Sequence, residues 1–439
     1  MPVASAPGAA PSAPARGSRL PKGLRAFTHR NFTLFWSGQL VSLTGTWMQQ
    51  VAQAWLVLQL TNDPLALGIV AAAQFAPVMV FGLFAGLVAD AVSKRAALLW
   101  TQVGSLSLAL ALGLLVASGE AQVWHVYLLA LGLGFVNAFD MPVRQSFVVE
   151  MVGREDIANA VALNSAVFNG TRIIGPAIAG VFIATVGLAP LFFFNAASYL
   201  AVIVGLLLMR TAELVPPSER AAMTRHWRSV VERLAEGLSY VRHNRQILVA
   251  ISLLGVVATF ALNFQVLIPV LARDVLGGQA DVFGFLMAAS GIGSLVSSLS
   301  IAFGQRPSMR LLVTGAAAIG VAMIGLGLSR ALPISMLLMF LAGWGVIAMA
   351  ATTNTIIQLS VPDVLRGRVM SVYTTVFAGS VPIGGLFAGA VAAWVSVPAA
   401  LAVGGVIALI AAAYVAWVLS GGGGLKARPS ALRRRVPQR

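Results

Sequence analysis

Long apolar runs separated by short polar breaks dominate the chain, and their spacing predicts helices throughout. The runs fall at 33–60, 65–89, 96–117, 123–143, 157–185 and 188–209. After a polar connector they resume at 246–272, 282–304, 309–329, 333–359, 366–393 and 397–419. Helices of about 20 apolar residues are long enough to cross a ~30 Å hydrocarbon core. Twelve crossings return the chain to the side on which it began. The pattern predicts an all-α integral membrane protein, with twelve transmembrane helices in two pseudo-symmetric six-helix bundles.

Composition agrees: 58% of the 439 residues are hydrophobic and 10% are charged, with a mean hydropathy of +0.88. Soluble domains carry about 25% charged residues, so this chain cannot cover itself in water. The net charge of +15 raises the question of a nucleic-acid partner, and its distribution excludes one. On the twelve-span reading, 26 of the 29 Lys and Arg residues lie on the side of the termini. Arg273 and Arg330 lie opposite, and Arg172 lies within the membrane. This is the positive-inside pattern, which predicts a multi-pass protein of the bacterial cytoplasmic (inner) membrane with both termini cytoplasmic. Cysteine is absent and His29, His125, His226 and His243 are scattered, so no metal or haem is expected. No Gly-rich phosphate loop is present, which disfavours ATP hydrolysis. No cofactor is expected, and the expected partners are a small-molecule substrate and the lipid bilayer, with the chain a monomer.

The organisation follows from the same pattern. Residues 1–30 read as a disordered tail and membrane approach, 31–209 as the first bundle and 246–420 as the second, with a basic tail at 421–439. Between the bundles, 210–245 holds Trp227, Val230, Val231, Leu234, Leu238 and Val241 at helical spacing among charged residues, as in an amphipathic interfacial helix. The halves repeat loosely. Gly132-Leu-Gly134 matches Gly343-Trp-Gly345, and Ser165 with Pro176 matches Ser371 with Pro382. Six-helix repeats are a common transporter plan, with the substrate site between them near mid-membrane.

Few residues could carry chemistry. Asp90 is followed by Lys94 and Arg95 at the turn after span 2, which on residue types alone is a helix stop with topology-setting charges. Asn137, Asp140 and Arg144, spaced 3 and 4, share one face of span 4, and Asp140 with Arg144 reads most simply as an intrahelical pair. The loop Arg154–Asp156 reads as solvated. Arg172 lies in the middle of span 5. A charge there costs at least ~2.5–3.5 kcal/mol in contact with lipid, so it faces protein or a water-filled cavity. Pro176 has no N–H and leaves the carbonyl of Arg172 without its helix partner; Gly175, Pro176 and Pro382 are the helix-bending candidates. Gln39, Ser42, Thr46, Gln50 and Gln53 form a polar stripe on span 1. With Asn137 on span 4, Asn263 on span 7, and Asn354 and Gln358 on span 10, they line either a central cavity or the seams between helices.

Several runs carry a resemblance: N-F-T-L-F-W-S-G-Q at 31–39, T-W-M-Q-Q-V-A-Q-A-W-L-V-L-Q-L-T-N at 46–62, N-A-F-D-M-P-V-R-Q at 137–145 and N-S-A-V-F-N-G-T-R-I-I-G-P at 164–176. Over residues 25 to about 420 the chain resembles the enterobactin-exporter-like (transmembrane secretion effector) branch of the major facilitator superfamily, near the macrolide effluxers. Gly86 to Arg95 resembles that superfamily's span-2 turn, with Ala91 and Ser93 in place of a cation and a glycine. Gly175-Pro176 with Gly180 resembles its antiporter motif, with Thr171 where a further glycine is usual. The resemblance implies the major facilitator fold and export of a siderophore, macrolide or other lipophilic or anionic compound. It implies alternating access driven by proton antiport, with Asp90, Lys94, Arg95, Asp140 and Arg144 as a gating charge relay. An uptake carrier of the same fold and a polytopic membrane enzyme are the alternative readings, the latter disfavoured by the scarcity of acids within the spans.

Overall fold

The computed structural model describes residues 21–215 and 227–422, with the backbone alone described at 22, 83–91, 227–231, 233 and 421–422. The tails and most of the polar half of the connector, on which the readings of disorder and basic charge fall, lie outside the described residues.

Fourteen α-helices are found among the described residues. The first bundle comprises α1 (Arg30–Thr61), α2 (Pro64–Ala91), α3 (Lys94–Ala117), α4 (Val123–Val152), α5 (Ile157–Val186) and α6 (Ala189–Leu207). The connector helix α7 (Trp227–His243) leads to α8 (Arg245–Phe260) and α9 (Phe264–Val270). They are followed by α10 (Ala280–Ala302), α11 (Met309–Leu328), α12 (Leu332–Ser360), α13 (Asp363–Trp394) and α14 (Val397–Trp417). Among the described residues, eleven spans are long and apolar enough to cross a membrane. The remaining bundle helix, α1, is less hydropathic because it carries the span-1 glutamines. Gln49 and Gln53 are both buried, and Gln49 accepts a hydrogen bond from Asn195 on α6 at 2.7 Å.

Span 7 departs from the expected single helix. It breaks at 261–263, restarts as α9 and closes with a wider turn at Leu271–Val275. Asn263 stands at the break rather than on a helix, its amide donating to the Thr259 carbonyl at 2.8 Å. Pro269, within α9, lacks the N–H that would bond the Gln265 carbonyl, so the second segment is short.

The internal repeat is visible in the packing. Gly134 on α4 sits against the Gln74 carbonyl of α2, and Gly343 on α12 sits against the Ser290 carbonyl of α10. The bundles meet along two seams. On one, α5 packs on α10, with Gly180 against Ala280 and Asp281, Gly284 against the Pro176 carbonyl, and Gly291 against Ile173. On the other, α2 packs on α13, with Gly68 against the Gly385 carbonyl and Gly389 against Pro64 and Leu65. A side chain at Gly284 or Gly68 would occupy the partner's backbone, which is why glycine stands there. Both seams lie in the halves of these helices remote from the termini, called the far side below.

The connector helix belongs to the second bundle. Gly237 of α7 lies on the Arg368 carbonyl of α13, Glu236 pairs with Arg368, and Val241 joins a cluster with Ile247, Ile357 and Val369.

Candidate transport pathway

The α5 stripe that meets α10 through Gly180, Pro176 and Ile173 continues toward the termini at helical spacing as Asn169, Ala166, Ala162 and Ala158. Ala166, Ala162 and Ala158 are exposed, as is Ser165 beside them. A contact face past Ile173 is therefore an uncovered face before it. No packed pairing joins α4 or α5 to α12 or α13 among the described residues. Gly170 on α5 and Gly367 on α13 have no neighbour within 4 Å of where a side chain would begin. The bundles diverge toward the termini and leave a vestibule between them.

Arg172 stands at the closed end of that vestibule. Its guanidinium lies 5.9 Å from the centre of the Trp47 ring on α1, and no hydrogen bond or ion pair to it is found among the described residues. Trp47 is fixed in turn: Gly175 passes beneath its Cβ, and Phe168 meets its ring edge-on at 5.7 Å. The carbonyl that Pro176 leaves free, that of Arg172, faces Gly291 of α10. α5 runs unbroken through Pro176, as α13 does through Pro382.

The other expected cavity residues divide. Gln50 reaches across the bundle junction, accepting a hydrogen bond from Gln265 of α9 at 2.6 Å. With Gln53, Gln74 and Leu67 they line a cavity of about 20 Å³, room for one water molecule. These residues belong to the far-side closure. Thr46 bonds back to the Ser42 carbonyl at 2.9 Å, and Gln39 is buried. Asn137 is half-buried on α4. Asn354 accepts from Gln358 at 2.5 Å along α12, with Gln358 exposed.

The expected charge relay is rearranged. Asp140 is buried and takes 2.6 Å and 2.9 Å hydrogen bonds from Thr101 and Gln102 of α3, and 2.7 Å from Arg144 Nε. Arg144 also lies over the Phe35 ring of α1. The partners of Asp140 thus come from spans 3 and 4, and span 1 reaches the site only through the contact of Phe35 with Arg144. Lys94 pairs with Glu150 near the end of α4, and Arg95 donates to the Leu206 and Leu207 carbonyls at the end of α6. The side chain of Asp90 lies outside the described residues. All these bonds tie the first bundle to itself.

Sequence reasoning missed Glu150, Gln265 and Asp156. The loop at 154–156 is only partly solvated: Asp156 is buried and meets Arg25 Nε at 3.1 Å and His29 Nε2 at 2.9 Å. Asn159 accepts from the Ala26 N–H at 2.7 Å and donates to the Gly23 carbonyl at 2.5 Å. Together they clamp the short 3₁₀ helix Lys22–Thr28 onto the start of α5. Among the described residues no group of acidic or His side chains could hold a metal ion.

The sequence pattern of the transmembrane secretion effector family matches residues 22–421, almost the whole described chain. The chain belongs to this family of the major facilitator superfamily. Its curated relatives are transporters and not enzymes. The multidrug efflux pump Tap of Mycolicibacterium fortuitum is 30% identical over 80% of this chain and 87% of its own. The staphyloferrin A transporter of Staphylococcus aureus is 27% identical over 80% and 87%. The enterobactin exporter EntS of Shigella boydii is 24% identical over 79% and 82%. Among solved structures, the nucleoside transporter NupG aligns with a TM-score of 0.71 at 10% identity, over 89% of this chain and 99% of its own. A bacterial homologue of the lysosomal transporter Spinster, inward-facing and occupied, aligns at 0.67 and 15% identity over 94% and 100%. Those likenesses establish the major facilitator fold. This secretion-effector chain is a multi-pass membrane transporter of a bacterial family.

Proposed function

We propose that the protein is a secondary active exporter of a small molecule in the bacterial inner membrane, working by alternating access with both termini cytoplasmic. The observation that carries this reading is the α5 stripe, packed on α10 beyond Ile173 and exposed before it. A vestibule open toward the termini and ending at an arginine with no ion pair among the described residues is the loading state of an exporter whose termini are cytoplasmic. The positive-inside distribution supports that orientation, and the names of two relatives, an efflux pump and an exporter, support the direction.

Proton antiport is the energy source we assign. Asp140 is the one buried carboxylate within a helix among the described residues. It is the group we assign to proton exchange, since its bonds to Thr101, Gln102 and Arg144 shield it here and a rearrangement of the gate would open it to water. Arg144 is its counter-charge; Lys94 with Glu150, Arg95, and Asp90 at the neighbouring turn complete the cytoplasmic charge set that rearranges with the gate.

The test uses everted membrane vesicles and a labelled panel of one siderophore and one macrolide. The reading expects gradient-dependent accumulation of a panel compound inside, abolished by a proton ionophore. Accumulation at an unchanged rate after the gradient collapses contradicts antiport, and accumulation confined to right-side-out vesicles contradicts export.

A further inference from the structure

We propose that Arg172 and Trp47 form a binding site for an aromatic acid, a planar ring carrying one carboxylate, at the closed end of the vestibule. The proposal rests on the reading of that vestibule as the transport pathway, and it names the chemistry of the cargo.

Three observations converge. A guanidinium at mid-membrane depth is costly without an anion or water around it, and Arg172 has no ion pair or hydrogen bond among the described residues. Its planar fork carries five N–H donors and matches a carboxylate in a bidentate arrangement. Its contact with Trp47, at 5.9 Å, is within the ~6 Å range of cation–π attraction and leaves the donors of the fork unspent. The cation is therefore placed but not neutralised.

The second observation is the ring beside it. Trp47 is held between Gly175 and Phe168, and Phe168 is itself partly exposed beside it. Two aromatic rings fixed within reach of one cation offer a planar ligand an offset or edge-on partner at little ordering cost. A ring lying on Trp47 and Phe168 brings its carboxylate to Arg172.

The third observation is the absence of a competitor. No carboxylate of the described residues pairs with Arg172, and Asp140 is occupied by Thr101, Gln102 and Arg144. A cationic ligand would meet an unscreened like charge at the end of the vestibule, which opposes binding. The site therefore selects by charge first and by ring shape second.

The test is equilibrium dialysis of the purified full-length protein in detergent against 2-naphthoate, 2-naphthamide, 2-naphthylmethylammonium and cyclohexanecarboxylate. Wild type is expected to bind 2-naphthoate at least about tenfold more tightly than the amide or the cation, the scale of a charge-assisted hydrogen bond. Arg172→Gln is expected to erase that preference, and Arg172→Lys to weaken binding several-fold while keeping the order. Trp47→Leu is expected to erase the preference for naphthoate over cyclohexanecarboxylate. Equal affinities across the series, no saturable naphthoate binding up to millimolar concentration, or a preference that survives Arg172→Gln would each overturn the proposal. Should Arg172→Gln fail to fold, Arg172→Lys and Trp47→Leu decide it by the same comparisons. Dialysis is read without a gradient, so a failed anion preference leaves export standing, and failed export in vesicles leaves the binding result standing.

Discussion

Gln50 of α1 and Gln265 of α9 share a 2.6 Å hydrogen bond across the junction of the two bundles. It is a side-chain bond between halves of the molecule, and it lies beyond Arg172 on the far side. There Arg273 also reaches the Leu58 carbonyl at 3.3 Å. The far-side closure combines these weak polar bonds with the two glycine seams and with one continuous buried apolar cluster drawn from both bundles, Val51, Leu67 and Val70 meeting Leu267, Phe283 and Met287 in it.

The first prediction concerns that bond. A neutral hydrogen bond contributes about 0.5–1.5 kcal/mol net. Gln265→Leu should therefore raise the far-side-open population by up to about tenfold without unfolding the protein. With no native cysteine, labelling of Gln53→Cys by an impermeant maleimide added from the far side reads this directly, and an unchanged rate counts against a lock at Gln50 and Gln265.

Gly284→Ala should act in the same direction more strongly. The new methyl meets the Pro176 carbonyl, and overpacking of this kind costs about 1–3 kcal/mol. The cost falls only on the state in which α5 and α10 touch. An Ala162→Cys reporter on the vestibule face should then be labelled more slowly from the side of the termini.

Asp140→Asn leaves Arg144 without its carboxylate. Breaking a buried pair costs about 3–5 kcal/mol, and the 24% exposure of the Arg144 side chain reduces this to roughly 2–3 kcal/mol. Differential scanning fluorimetry should show a lower Tm, partly restored in Asp140→Asn/Arg144→Gln. If the double variant is as unstable as the sum of the single ones, the pair is not the source.

Asp156→Ala should release the segment at Lys22–Thr28. Arg25 is half exposed, so the stability cost is about 1 kcal/mol or less. Trypsin should nonetheless cut at Lys22 and Arg25 several-fold faster than in wild type. Equal cleavage rates would mean that Asn159 alone holds the segment.

The class of the protein was legible in its hydropathy because each lipid-crossing helix must be long and apolar, and the repeat was legible because Gly134 and Gly343 serve the same close approach. Arg172 stood out because a charge in an apolar run is costly. What the spacing could not give was partners. Asp140 and Arg144 are one turn apart and were readable as a pair, but Thr101 and Gln102 come from another helix, whose rotation about its axis has no trace in the sequence pattern. Lys94 faces Glu150 and not Asp140 for the same reason. Gln50 looked like a cavity residue because one polar stripe on α1 serves two places, Gln50 and Gln53 at the closure and Thr46 lower down. The break in span 7 had a signal, Asn263 followed by Pro269 inside an apolar run, which hydropathy alone averages away.

The most direct test of alternating access through this vestibule is a reversible lock on the far side. The Cβ that Gly385 lacks would lie 3.1 Å from the Cβ of Ala71, which with slight easing is within reach of a disulfide. In Ala71→Cys/Gly385→Cys the account predicts that oxidation abolishes transport and reduction restores it, while labelling from the side of the termini of an Ala162→Cys reporter added to that variant persists throughout. Transport that continues at the wild-type rate with the disulfide formed would contradict it.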